Sequence, residues 1–214
     1  MVLRKTIVLI NCVFCLLLNS CLEAVKKIQD WTQIQDENNI EGKKHHLGDD
    51  GIKIFLPKSF KRYNSVEYIA LIDSLVTDNK NLEIERTRFR NIRKMEGNHY
   101  VFFDNTINTT YTINAVPYTP ISRQDAKYIL GIIRQSQKAI SDSTNLDYTK
   151  ITGKHNDNGT TQIFKAIFKV ENQELQQQAF QNVYFISSNN KTVLINLMTP
   201  FEVNFDPFLE KMTL

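Results

Sequence analysis

Asn158-Gly159-Thr160-Thr161-Gln162-Ile163-Phe164-Lys165-Ala166-Ile167-Phe168-Lys169-Val170 reads as a tight turn that feeds a strand. Both Asn and Gly accept positive φ, so the dipeptide is a strong hairpin signal. It folds a strand of about Asp147 to Lys154 against one of Thr161 to Val170, which carries Ile163, Phe164, Ile167 and Phe168. The pattern repeats downstream. Gln178 to Ser187 carries Phe180, Val183 and Phe185, Asn189-Asn190 marks the next turn, and Thr192 to Met198 carries Val193, Ile195 and Leu197. Consecutive strands with short turns pair antiparallel, so the last third of the chain is a meander.

Upstream, Ile52, Ile54 and Leu56 alternate in Gly51-Ile52-Lys53-Ile54-Phe55-Leu56-Pro57, the mark of a half-buried strand that Pro57 ends. Ser65 is placed to cap a helix with Val66, Ile69, Ile72 and Val76 on one stripe. A second helix spans about Asn81 to Lys94 around Leu82, Phe89 and Ile92. Tyr100 to Phe103 and Thr110 to Val116 then read as strands joined at Asp104-Asn105. Ser122 opens the clearest helix, to about Ile140, with Ala126, Ile129, Leu130, Ile133 and Ile140 on its apolar face and Asp125 in the reciprocal capping position. A short helix at Pro207 to Lys211 closes the chain. Helices must cover an antiparallel sheet, so the expected fold is α+β, a sheet of about six strands with helices packed on both faces in an α/β/α sandwich.

The strand ending in Ile54-Phe55-Leu56-Pro57-Lys58-Ser59-Phe60 and the closing Phe205-Asp206-Pro207-Phe208-Leu209-Glu210-Lys211-Met212 frame this order. Together they resemble the PsbP-like fold, over about Gly51 to Leu214. The resemblance implies the layered architecture and a binding or assembly role, and it supplies no catalytic residues.

The first residues form a separate unit. Arg4 and Lys5 precede an apolar run from Thr6 to Leu18. As a helix that run rises about 20 Å, short of a hydrocarbon layer about 30 Å thick and suited to a signal segment. Leu18-Asn19-Ser20-Cys21 resembles a bacterial lipobox, in which Cys21 is lipidated and becomes the first mature residue; Asn19 stands where Ala, Ser or Thr is commoner. The alternative is an ordinary cleaved signal peptide. The lipobox implies diacylglycerol and an N-acyl chain of the palmitate kind on Cys21, each buried CH₂ contributing about 0.8 kcal/mol. Cys12 and Cys15 would leave with the signal, so no disulfide is expected. Leu22, rather than Asp, follows the cysteine. Compared with the inner-membrane retention pattern, that favours the outer membrane of a Gram-negative cell envelope. The expected division is residues 1–20 signal peptide, 21–48 flexible tether and 49–214 one domain.

Removing Arg4 and Lys5 leaves 24 of the 26 basic residues against 23 acidic ones, a net of +1. Nothing in that balance demands nucleic acid. His45-His46 with Asp49-Asp50 offers metal-ligand types, but a solvated turn of the tether is the expected reading, and no metal or further cofactor is expected. His99 and His155 stand alone, with no Gly-x-Ser-x-Gly and no phosphate loop. Arg86, Arg90, Arg93 and Lys94 flank the second helix and are the candidate surface for an acidic partner or anionic lipid heads. Otherwise their stems cover the core edge. The function expected is therefore a lipid-anchored envelope protein that binds a protein partner without catalysis. The alternatives are a periplasmic or surface enzyme with an unrecognised site, and a carrier of an apolar ligand.

Overall fold

The computed structural model describes residues 40–76, 82–92 and 98–214. Seven strands form one antiparallel sheet: β3 (Lys61–Tyr63), β4 (Asn98–Asp104), β5 (Thr109–Val116), β6 (Leu146–Asp157), β7 (Thr161–Asn172), β8 (Gln177–Ser188) and β9 (Lys191–Thr199), in the spatial order β3-β4-β5-β9-β8-β7-β6. β1 (Lys43–Leu47) and β2 (Ile52–Leu56) make a separate hairpin. The helices are α1 (Ser65–Val76), α2 (Leu82–Ile92), α3 (Arg123–Ser141) and α4 (Asp206–Glu210).

The chain path explains the order. β5 leads through α3 to β6 at the far edge, and the meander β6-β7-β8-β9 returns to the centre, where β9 pairs with both β8 and β5. All but the first residue of β9 are buried, as a central strand covered on both faces requires. One face is covered by the β1–β2 hairpin and α4. There Leu47, Ile52, Ile54 and Leu56 pack against Tyr100, Phe102, Tyr111, Ile113 and Ile195, with Phe205 stacked on Phe208 at 4.9 Å. On the other face α1 and α2 bury Tyr68, Ile72, Leu82 and Phe89 against Val101 and Phe103, while α3 sets Ala126, Leu130 and Ile133 against Phe164, Ala166 and Leu194. The fold class is α+β as expected, with the hairpin adding to the helical cover.

The meander follows the turn chemistry. Asn189 and Asn190 both take positive φ, at 50° and 58°, as a two-residue hairpin with right-handed strand twist requires. In the Asn158-Gly159 turn only Gly159 does, at 84°, and Asn158 Oδ1 instead accepts from the Thr161 amide at 2.8 Å. Ser122 and Asp125 form the capping box, Ser122 Oγ accepting from the Asp125 amide at 3.2 Å and Asp125 Oδ2 from the Ser122 amide at 2.9 Å.

Three local expectations are corrected. Asn64, not Ser65, caps α1: its Oδ1 accepts from the Glu67 amide at 2.8 Å, and Glu67 returns a carboxylate oxygen to the Asn64 amide at 3.0 Å. β1 lies within the stretch expected to be tether. Gly42 already rests on β2, so close that a Cβ there would stand 2.5 Å from Phe55 Cζ and 2.7 Å from the Leu56 carbonyl. His45-His46 is therefore strand rather than a solvated turn, and the His45 ring meets Phe102 edge-on at 4.9 Å. Desolvation holds its pKa below the ordinary value, with Lys43 and Arg62 adding repulsion.

Candidate functional site

One opening lies where the sheet, α4 and the last residues meet. Its volume is about 630 Å³. Period-2 alternation puts Ile163, Lys165, Tyr184 and Ile186 of β7 and β8 on its floor. Asp206, Leu209 and Met212 form a wall, and Asn156, Asn158 and Asn189 a polar rim. The wall is held by backbone: the Thr213 and Lys53 amides each donate to the other's carbonyl at 2.8 Å, so the last residues extend the hairpin from β2. Phe55 packs on Phe208 at 6.1 Å behind the wall.

The polar centre of the cleft is a triad of side chains from three elements. Lys165 Nζ donates to both carboxylate oxygens of Asp206 at 2.7 Å, and the Tyr184 hydroxyl donates to Asp206 Oδ1 at 3.2 Å. Lys165 also lies 5.5 Å from the centre of the Tyr184 ring, within cation–π range. Burial pushes the Tyr184 phenol well above its ordinary value, and the Asp206 charge and hydrogen bond add to the shift. The phenol therefore stays protonated and bound to Asp206, a poor acid or nucleophile at neutral pH. Each of these polar groups thus has a partner inside the cleft.

A second polar cluster is fully enclosed. On α2, Glu85 and Arg88 form a bidentate pair, Arg88 Nε and Nη2 reaching Glu85 at 2.6 and 2.7 Å with both side chains no more than 3% exposed. The Tyr68 hydroxyl donates to Glu85 at 3.1 Å and makes a short hydrogen bond with Thr110. Desolvation opposes the Arg88 charge, but the Glu85 charge and hydrogen bonds outweigh it, so the guanidinium pKa is raised. Burial pushes Tyr148, beside this pair, up to about 12. A third cluster fixes α3: Gln137 Nε2 donates to Gln181 Oε1, and Gln181 Nε2 to Asn196 Oδ1, each at 3.1 Å. These amides tie α3 to β8 and β9.

The structure separates the residues singled out from sequence. Arg86 pairs with Glu83 at 2.6 Å and reaches Asp73 at 3.6 Å, while Arg90 reaches Asp73 at 3.2 Å. Their charge is thus answered within α1 and α2. Arg93 and Lys94 lie outside the described residues, as do Leu18, Asn19, Ser20 and Cys21. Asp50, proposed beside the histidines, accepts from the Tyr100 hydroxyl at 2.6 Å and from Asn98 at 3.1 Å. Among the described residues no group of three His, Cys, Asp or Glu side chains gathers to hold a metal, and no helix is long and apolar enough to cross a membrane. Lys165, Tyr184 and Asp206 were not singled out, because they lie far apart in sequence and only the folded sheet brings them together.

No family model matches the chain, and no curated protein sequence matches it. Solved structures do. The solution structure of cyanobacterial PsbP, CyanoP, from Synechocystis sp. PCC 6803 is similar with a TM-score of 0.51 at 10% identity, covering 82% of this chain and 94% of that one. The Ran-binding protein Mog1p of Saccharomyces cerevisiae gives a TM-score of 0.48 at 11% identity, covering 82% of this chain and 96% of that one. The chain thus has the PsbP-like fold expected from its element order. At such identity the likeness is one of fold, and no residue role is transferred.

Proposed function

We propose that the chain is a lipoprotein of the cell envelope, anchored through Cys21, whose domain binds another envelope protein without catalysing a reaction. The observation that carries the binding reading is the cleft of Lys165, Tyr184 and Asp206. Its apolar floor and polar rim suit the side chains of a protein segment, while its ionisable groups are engaged with one another. The PsbP-like fold is consistent with such a role. The anchor rests on the Leu18-Asn19-Ser20-Cys21 run, and Leu22 after the cysteine points to the outer membrane of a Gram-negative host.

Fractionation and mass spectrometry test the anchor together. The native chain is expected in the membrane fraction, starting at Cys21 and carrying diacylglycerol and an N-acyl chain, and Cys21→Ala is expected to release it. Membrane retention of Cys21→Ala, or an unmodified native cysteine, contradicts the anchor.

A further inference from the structure

On the opposite face of the sheet, α3 and the edge strand β6 border a shallower, open cavity of about 340 Å³. Its rim carries Arg123 and Lys127 of α3 with His155 of β6, and its floor is apolar, made of Ala126, Leu130 and Phe164; Lys154 also borders it but lies opposite Lys165, so its side chain is on the cleft face. No carboxylate is among the described lining residues, and neither Arg123 nor Lys127 forms an ion pair among the described residues. One acid lies near: Asp125, in the same turn of α3, interacts electrostatically with His155. The first-turn acid of α3, Asp125, is turned to the Ser122 amide at 2.9 Å and lies outside the lining.

The arrangement is set by the fold. Arg123 and Lys127 are four residues apart, so they share the flank of α3 that faces β6. His155 Nε2 lies 2.8 Å from the Ile121 carbonyl, which accepts, so the ring is tied to the segment leading into α3. Gly153 opens the floor. Glycine weakens a strand interior and is usually retained for backbone conformation or a close approach. Gly153 follows the register shift between Lys150 and Thr152, is not in the positive-φ region, and a Cβ on it would meet only ordinary contacts, 3.8 Å to Leu130 and 4.0 Å to Lys150. What the missing side chain provides is space.

Two cations side by side on a concavity repel one another and favour an anion that neutralises them, and Arg and Lys together suit phosphate oxygens. The floor adds room for an apolar substituent. We infer that this cavity binds the phosphate group of a small phosphate ester, with Arg123 and Lys127 supplying the charge. The source is either a free metabolite-sized ester or a phospholipid headgroup. The inference is independent of the cleft on the other face and of the anchor.

The test is a titration of the purified full chain, followed by amide chemical shifts, with inorganic phosphate, glycerol 3-phosphate and monomeric dihexanoylphosphatidylglycerol as separate probes. Saturable shifts at Arg123, Lys127 and His155 are expected with at least one probe. A response to the first two assigns a free ester, and a response to the short-chain lipid alone assigns a headgroup. Lys127→Glu is expected to weaken binding by about tenfold or more. Gly153→Val keeps every charge but fills the floor, and it is expected to abolish binding while the native shifts elsewhere remain. Absence of saturable binding with all three probes overturns the proposal. So does binding that Gly153→Val leaves unchanged, since that would mark diffuse charge attraction rather than a site.

Discussion

Glu85 and Arg88 show how much one residue pair can decide. A charge pair enclosed between α2 and the sheet contributes little net stability when intact, yet breaking it strands a buried charge. Glu85→Ala is expected to destabilise the fold by about 3–5 kcal/mol in denaturant titration, whereas Glu85→Leu with Arg88→Met is expected to recover most of that loss. An equal loss in the single and double variants would show that the site depends on volume rather than charge. The pair was legible in principle: Glu85 falls between Leu82 and Phe89 on the apolar stripe of α2, and a charge inside such a stripe signals a buried partner. Sequence reading instead followed the more numerous arginines of the flank. The two described ones prove to be answered by Asp73 and Glu83.

At the scale of elements, the strands of the meander and α3 were legible because local chemistry agrees with the fold. Asn-Asn accepts positive φ, Ser122 and Asp125 cap each other, and apolar positions keep the period of their element. β1 and β3 were not. Lys43-Lys44-His45-His46-Leu47 has no apolar alternation, and its strand conformation comes from pairing with β2, residue 45 opposite 54. β3 is three residues long and is defined by β4. The edge strand β6 runs past the expected Lys154 to Asp157 because β7 templates it, with a register shift between Lys150 and Thr152. That irregularity and the lysines on this edge discourage pairing with another chain. Gly42 tests whether order extends into the expected tether. Gly42→Ala places a methyl against Phe55 and the Leu56 carbonyl. It is expected to cost about 1–3 kcal/mol and to lower the melting temperature. An unchanged melting temperature would mean that β1 contributes nothing to the domain.

At the scale of the whole molecule, the sheet divides its open ground between two faces. On one, the hairpin and α4 stop short of β6 and leave the cleft. On the other, α3 lies along β6 and leaves the cation-lined cavity, with Lys154 on the edge touching both. Neither opening was legible beforehand. The cleft joins residues from β7, β8 and α4 whose spacing in sequence carries no motif, and the cavity depends on α3 packing beside the edge strand β6. The composition and element order conveyed the class of fold, and the sites arose from long-range pairing. The central claim is that the cleft receives a protein partner. The most direct measurement is photo-crosslinking in intact cells from a benzoylphenylalanine at Asn156, on the cleft rim, with the same group at Gln135, on the exposed side of α3 and outside both openings, as the control. The expected result is a discrete adduct with one envelope protein from Asn156 and none from Gln135; no adduct from Asn156, or the same adducts from both positions, would contradict the account.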